Sequence, residues 1–173
     1  NNFASSPGND VFYAINVTQP TGLTISLCGG ATWNTYLYLL NSACTTVTSD
    51  DNGCGINASV INYGVCQPGI YYIVVDGATA LAQGTFTLTV SENPTLVPTA
   101  NAGPDRTICA GQSTTIGDLI PVSGGLGPYS YSWTPTTDLN NPLLANPIAS
   151  PSTTTAYTLQ VTDSRGCVDT DVV

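Results

Sequence analysis

Val11, Tyr13, Ile15 and Val17 recur at every second position, and Leu23, Ile25 and Leu27 alternate with Thr24 and Ser26. A period of two places successive side chains on opposite faces of an extended chain, so both segments predict β-strands. Phe86, Leu88 and Val90 alternate with Thr85, Thr87 and Thr89, which predicts a strand with one face in water. Tyr36–Leu40 and Ile70–Val75 are continuous apolar runs, as expected of central strands covered on both faces. The second half repeats the alternating theme: Tyr129, Tyr131 and Trp133 against Ser130, Ser132 and Thr134, then Tyr157, Leu159 and Val161 against Thr158, Gln160 and Thr162. No stretch sustains a helical period, and Gly or Pro interrupts nearly every dozen residues. The pattern predicts an all-β chain.

The segment SENPTLVPTANAG, residues 91–103, follows a finished strand, carries two prolines and precedes a new pattern. Two tandem β-sandwich domains are therefore expected, over 1–92 and 101–173, with 93–100 as linker. Four cysteines fall before this boundary and two after it. In the second domain, short strands, a central aromatic strand and two flanking cysteines suggest an immunoglobulin-like sandwich.

Composition narrows the function. Hydrophobic residues make up 42% of the 173, enough to bury cores, but only 8% are charged. Thr (26), Ser (14) and Asn (14) supply the polarity instead, suiting strands and turns. Eleven acids face two bases, Arg106 and Arg165, for a net charge of −9. That balance argues against nucleic acid and against docking on anionic lipid. No apolar run is long enough to span a membrane, and the chain reads as a processed mature protein or a segment of something longer.

With no His or Lys present, a serine nucleophile has no ordinary base, and no nucleophile elbow or phosphate-cradling loop occurs. Paired carboxylates could still hydrolyse glycosides, yet most acids, such as Asp118, Asp138 and Asp163, fall in turn-like contexts. The chain is therefore read as not an enzyme.

Cysteines 28, 44, 54, 66, 109 and 167 form no CxxC pair and have no histidine to share a zinc ion. Structural disulfides in an oxidising compartment follow. The expected pairs are Cys109–Cys167 and, among the three pairings open to the other four, Cys44–Cys54 with Cys28–Cys66.

Asp50-Asp51-Asn52-Gly53 is a candidate calcium loop built from Asp50, Asp51 and Asn52, with Asn34 or Asp76 as further ligands; the plain alternative is a β-turn. Trp33, Tyr36, Tyr38, Tyr71 and Tyr72 could form a sugar-stacking platform or simply pack the core. Asn16-Val-Thr18 and Asn57-Ala-Ser59 fit the N-glycosylation pattern.

Residues 10–91 resemble the bacterial pre-peptidase C-terminal domain through Asp10-Val-Phe-Tyr13, Leu27-Cys-Gly-Gly30, Asn34-Thr-Tyr-Leu-Tyr38, Asp50-Asp51 and Pro68-Gly-Ile-Tyr-Tyr-Ile-Val-Val75. The resemblance implies a jelly-roll-type sandwich. Residues 97–173 are similar to the PKD-like and Ig-like repeats of Bacteroidetes surface proteins, through Ala102-Gly-Pro-Asp105, Ile108-Cys-Ala-Gly111, Tyr131-Ser-Trp133 and Tyr157-Thr-Leu-Gln-Val-Thr-Asp163 followed by Gly166-Cys167. Together they imply an exported bacterial surface protein whose modules act as spacers, stalks or adhesive repeats.

The family resembled by the first half usually begins well upstream of its Asp-Val-Phe-Tyr strand, and Val172-Val173 reads as the start of a last strand. Sandwiches short of an edge strand expose backbone that another copy can fill by strand addition, and head-to-tail contacts of that kind grow filaments. The expected function is thus a structural module of a stalk, fibre or filament, partnered by its own copies or neighbouring repeats. The competing class is a glycan- or protein-binding appendage of a secreted hydrolase, supported by calcium.

Overall fold

The computed structural model describes residues 10–55, 57–79 and 81–173. The chain is all-β, its strands paired antiparallel throughout, and it divides into two compact units between Pro94 and Thr95.

In the first unit the strands are β1 (Val11–Val17), β2 (Thr21–Ser26), β3 (Thr35–Leu40), β4 (Thr46–Asp50), β5 (Val60–Val65), β6 (Gly69–Gly77) and β7 (Thr89–Glu92). One sheet runs in the order β1-β6-β3-β4 and the other β5-β2-β7. Leu37, Leu39, Tyr71, Ile73 and Val75 from the first share a core with Leu23, Ile25, Ile61 and Val65 from the second. Two sheets joined by one apolar layer make a β-sandwich. The continuous apolar runs are the central strands β3 and β6, and Leu40 and Val74 are fully buried although they lie outside that shared core.

The threonine-alternating segment forms a shorter strand than its pattern predicts. Ladder pairing begins only at Thr89, yet Phe86 and Leu88 still pack on the core. Trp33 holds this preceding stretch. Its ring meets Phe86 edge-on at 6.3 Å, its indole N–H donates to the Thr85 carbonyl at 3.1 Å, and a Cβ on Gly84 would lie 2.6 Å from the ring.

The second unit contains β8 (Pro98–Ala100), β9 (Thr114–Thr115), β10 (Val122–Gly124), β11 (Ser130–Thr134), β12 (Ile148–Ala149), β13 (Thr158–Thr162) and β14 (Val168–Val172). They pair as β11-β13-β14, β10-β8 and β12-β9. Trp133 is completely buried at the centre of a core with Ile116, Tyr157, Leu159 and Val161, and its indole N–H donates to the Leu144 carbonyl at 3.0 Å. Tyr129 and Tyr131 pack against it, as their alternation with serine predicts.

The stretch expected as a linker is ordered and belongs largely to the second unit. A short 3-10 turn spans Pro94–Leu96, and β8 follows at once. Pro98 is tolerated because it opens an edge strand, where no ladder N–H is demanded of it. Gly124 lies opposite Pro98 with φ of +67°, where a Cβ would come within 2.5 Å of the Val97 carbonyl. The Arg165 guanidinium donates to the Leu96 carbonyl, so prolines that suggest a break are pinned by partners distant in sequence.

Candidate functional site

The acidic loop after β4 is built as a turn first. Asp50 Oδ2 accepts the Gly53 N–H at 2.7 Å and the Val60 N–H at 2.8 Å, so this carboxylate closes the loop onto β5. Asn52 is exposed. Beneath the loop, the buried Ser59 hydroxyl lies 3.0 Å from the Thr35 hydroxyl and 2.9 Å from the carbonyls of Thr35 and Asp51.

Asp51 behaves differently from Asp50. Its Oδ1, like Asn34 Oδ1, is buried and accepts no hydrogen bond among the described residues. Both belong to one end of the β1-β6-β3-β4 sheet. The ladders set Val11 opposite Val75, Asp76 opposite Tyr36, and Leu37 opposite Asp50, so Asp10, Asp76, Tyr36 and Asp51 fall on one row of one face. Asp76 is 2% exposed and accepts the Gly77 N–H at 2.6 Å. Burial pushes its carboxyl above the usual range, the Gly77 bond pulls it back, and Asp10 pushes it up again. Tyr38 stacks on Tyr36 at 4.6 Å, and its hydroxyl pKa is raised to about 12, first by burial and then by Tyr36, Asp76, Asp10 and Asp51. The structure thus gathers acceptor oxygens from four separate strand ends, a concentration that favours a cation. Sequence reasoning placed Asp51, Asn34 and Asp76 in the candidate set and missed Asp10, whose only signal was its position just before an alternating strand.

The proposed aromatic platform divides. Tyr36, Tyr38 and Tyr72 share the sheet face with Asp76, Tyr71 is buried in the core with its hydroxyl on the Gln67 carbonyl at 2.9 Å, and Trp33 packs against the core. Asn16 and Asn57 are both exposed.

The expected disulfide pairing is corrected. Cys28 is bonded to Cys54, with their Cα atoms 5.8 Å apart, while Cys44 and Cys109 are exposed free thiols. Cys66 and Cys167 are each held in a disulfide. Strand geometry explains why the expected pairs do not form. Cys44 and Cys54 flank opposite ends of β4, and Cys28 and Cys66 lie at opposite ends of the β2–β5 ladder, in which Thr21 faces Val65. A five- or six-residue strand separates its ends by roughly 15–20 Å, far beyond the reach of a disulfide. By contrast, the Leu27 N–H bonds the Ser59 carbonyl, which brings the end of β2 beside the Cys54 loop. Cys109 sits near Val172 and Val173 at one end of β14, whereas Cys167 precedes its other end.

Each unit also carries an open cleft. In the first, a cavity of about 250 Å³ lies between the edge strands β1 and β7, lined by Ile15, Val17, Leu23 and Val90. Farther along β1, Val11, Phe12 and Tyr13 are 38%, 45% and 40% exposed in succession. In the second, a groove of about 780 Å³ runs between Asp105–Ala110 and Pro151–Tyr157, floored by Ile116 and Ala149. Tyr157 and Val173 exchange both backbone hydrogen bonds, at 2.8 and 3.0 Å, so the groove continues the lane of β14 beyond Val173.

No curated protein matches the chain. Residues 10–77, which hold β1 to β6, match the family model of the bacterial pre-peptidase C-terminal domain, and the first unit therefore carries a non-catalytic module of the kind found in secreted proteins.

Proposed function

We propose that this chain is a non-catalytic structural module of the cell surface, a repeat or subunit of a stalk, fibre or filament whose copies join by strand complementation. The carrying observation is the groove of the second unit, which extends the β13–β14 ladder past Val173. Alternate ladder positions exchange backbone bonds, so after Tyr157 the next N–H and carbonyl directed into this lane are those of Thr155. An extended segment from a second copy satisfies them and covers Ile108 and Ile116. The open edge of β1 offers a second place for pairing, and the low charge density leaves few ions to desolvate at contacts.

Electron microscopy of the intact protein at near-physiological salt tests this reading, with ordered fibres as the expected result. Thr155→Pro removes the N–H that the incoming strand needs and abolishes them. Dispersed particles from the unaltered protein at high concentration would sink the proposal.

A second reading, a calcium-supported binding appendage for glycan or protein, is favoured by the buried acceptor atoms of Asp51 and Asn34 beside Asp76 and the Tyr36–Tyr38 pair. It predicts that millimolar calcium raises the Tm of the wild type but not of Asp51→Asn; equal shifts in both would remove it.

A further inference from the structure

Four of the six cysteines are oxidised, Cys28 to Cys54 with Cys66 and Cys167 also in disulfides, whereas Cys44 and Cys109 are free and exposed, one in each unit. A chain whose other thiols are all oxidised has met an oxidising environment, in which exposed thiols do not persist unpaired.

Their settings are complementary in shape. Cys44 sits at the tip of the β3–β4 hairpin. There Asn41 organises the turn: its N–H donates to the Thr45 carbonyl, its own carbonyl accepts from the Cys44 N–H, and its side-chain oxygen accepts from the Ala43 and Thr45 N–H groups. Cys44 itself has φ of +58°, an uncommon conformation for a residue with a Cβ. The hairpin thus holds a thiol on a fixed, convex tip. Cys109, by contrast, lines the groove of the second unit, beside Ile108 and the turn in which the Gln112 N–H meets the Cys109 carbonyl. A hairpin tip can approach a groove wall, whereas two recessed groove walls do not reach each other. Contact between unlike sites also leaves each copy one free site of each kind, so growth does not close on itself.

We propose that Cys44 of one copy and Cys109 of a second copy form an intermolecular disulfide that joins copies head to tail. The proposal rests on the reading of this chain as an assembling module and supplies that assembly with a covalent link. The oxidant is a small-molecule disulfide. The Cys44 thiolate attacks one sulfur of oxidised glutathione, forming a mixed disulfide and releasing one glutathione thiolate. The Cys109 thiolate of the second copy then attacks Cys44 Sγ and releases the other. Two protein thiols are oxidised to one disulfide, and one disulfide is reduced to two thiols.

The test is non-reducing electrophoresis of the full chain, purified with these two thiols reduced and then incubated with oxidised glutathione. The wild type gives a ladder of oligomers that reductant collapses. Cys44→Ser alone and Cys109→Ser alone remain monomeric, since each retains only one kind of site, while an equimolar mixture of the two yields a dimer and stops there. Peptide mapping by mass spectrometry finds Cys44 linked to Cys109. A wild type that stays monomeric, or a single variant that dimerises by itself, overturns the proposal. Fibres seen by electron microscopy without any ladder would remove the disulfide and leave the assembly reading standing. A ladder without fibres would support the disulfide and remove the strand-complemented filament.

Discussion

At position 76 an ionisable side chain is 2% exposed on a sheet row shared with Tyr36, and the groups around it are acceptors or acids rather than cations. Burial comes first among the causes that raise its pKa, with Asp10 adding to the same direction. Because the folded value lies above the unfolded one, the stability this group contributes is fully present below the unfolded pKa, about 4, and is lost as pH rises through the folded pKa. Asp76→Asn keeps an oxygen to accept the Gly77 N–H but carries no charge. The variant is expected to melt above the wild type at neutral pH in calcium-free buffer, the difference disappearing below about pH 4. Thermal unfolding across that range measures it, and a variant less stable at neutral pH would show that the carboxylate is wanted there. Trp133 presents the opposite situation: an equally enclosed polar group that is satisfied, because the indole N–H reaches the Leu144 carbonyl at 3.0 Å. The alternation Tyr129-Tyr131-Trp133 made this core residue legible in the sequence. Nothing local indicated that Leu144, eleven residues away, supplies its acceptor.

Among the elements, β8 shows how side chains can stand in for a ladder. Asp169 Oδ2 accepts the Ala100 N–H and Asp171 Oδ2 the Ala102 N–H, each at 2.8 Å, so two alternate carboxylates of β14 clamp a strand that has ladder bonds only with β10. The Asp169-Thr-Asp171 spacing is visible in the sequence; that it serves an edge rather than solvent is decided by the neighbouring strand. The Cys28–Cys54 bond acts at the same scale, closing a loop of 26 residues that contains β3 and β4. Loop-closure entropy for that length corresponds to about 3.5 kcal/mol. Replacing both cysteines by serine is expected to lower the stability of the first unit by about that amount and to leave the second unit's transition in place. Urea unfolding followed by Trp33 and Trp133 fluorescence separates the two. A loss confined to the second unit would contradict the pairing.

For the molecule as a whole, charge is the governing quantity. Eleven acids against two bases give −9 at pH 7, and the sequence isoelectric point is about 4.1. Repulsion between copies therefore weakens as pH falls toward 4, and association by open edges is expected to increase there. Light scattering against pH measures this, with a maximum near the isoelectric point as the expected result; scattering unchanged between pH 7 and 4 would mean that electrostatics does not oppose contact. What the sequence by itself determined is the part written in local periods: an all-β chain, the central strands at 35–40 and 69–77, the aromatic core strand at 130–134, and a division near residue 94. Alternation and turn residues encode these because the side-chain period of a strand is a property of a few consecutive residues. Which cysteines meet, that a proline-rich linker is a strand, that Asp10 joins Asp76 while Asp50 is consumed by its own loop, and where the grooves open were decided only by the tertiary structure. Each depends on the register between strands distant in sequence, and composition and spacing carry no distance across a sheet.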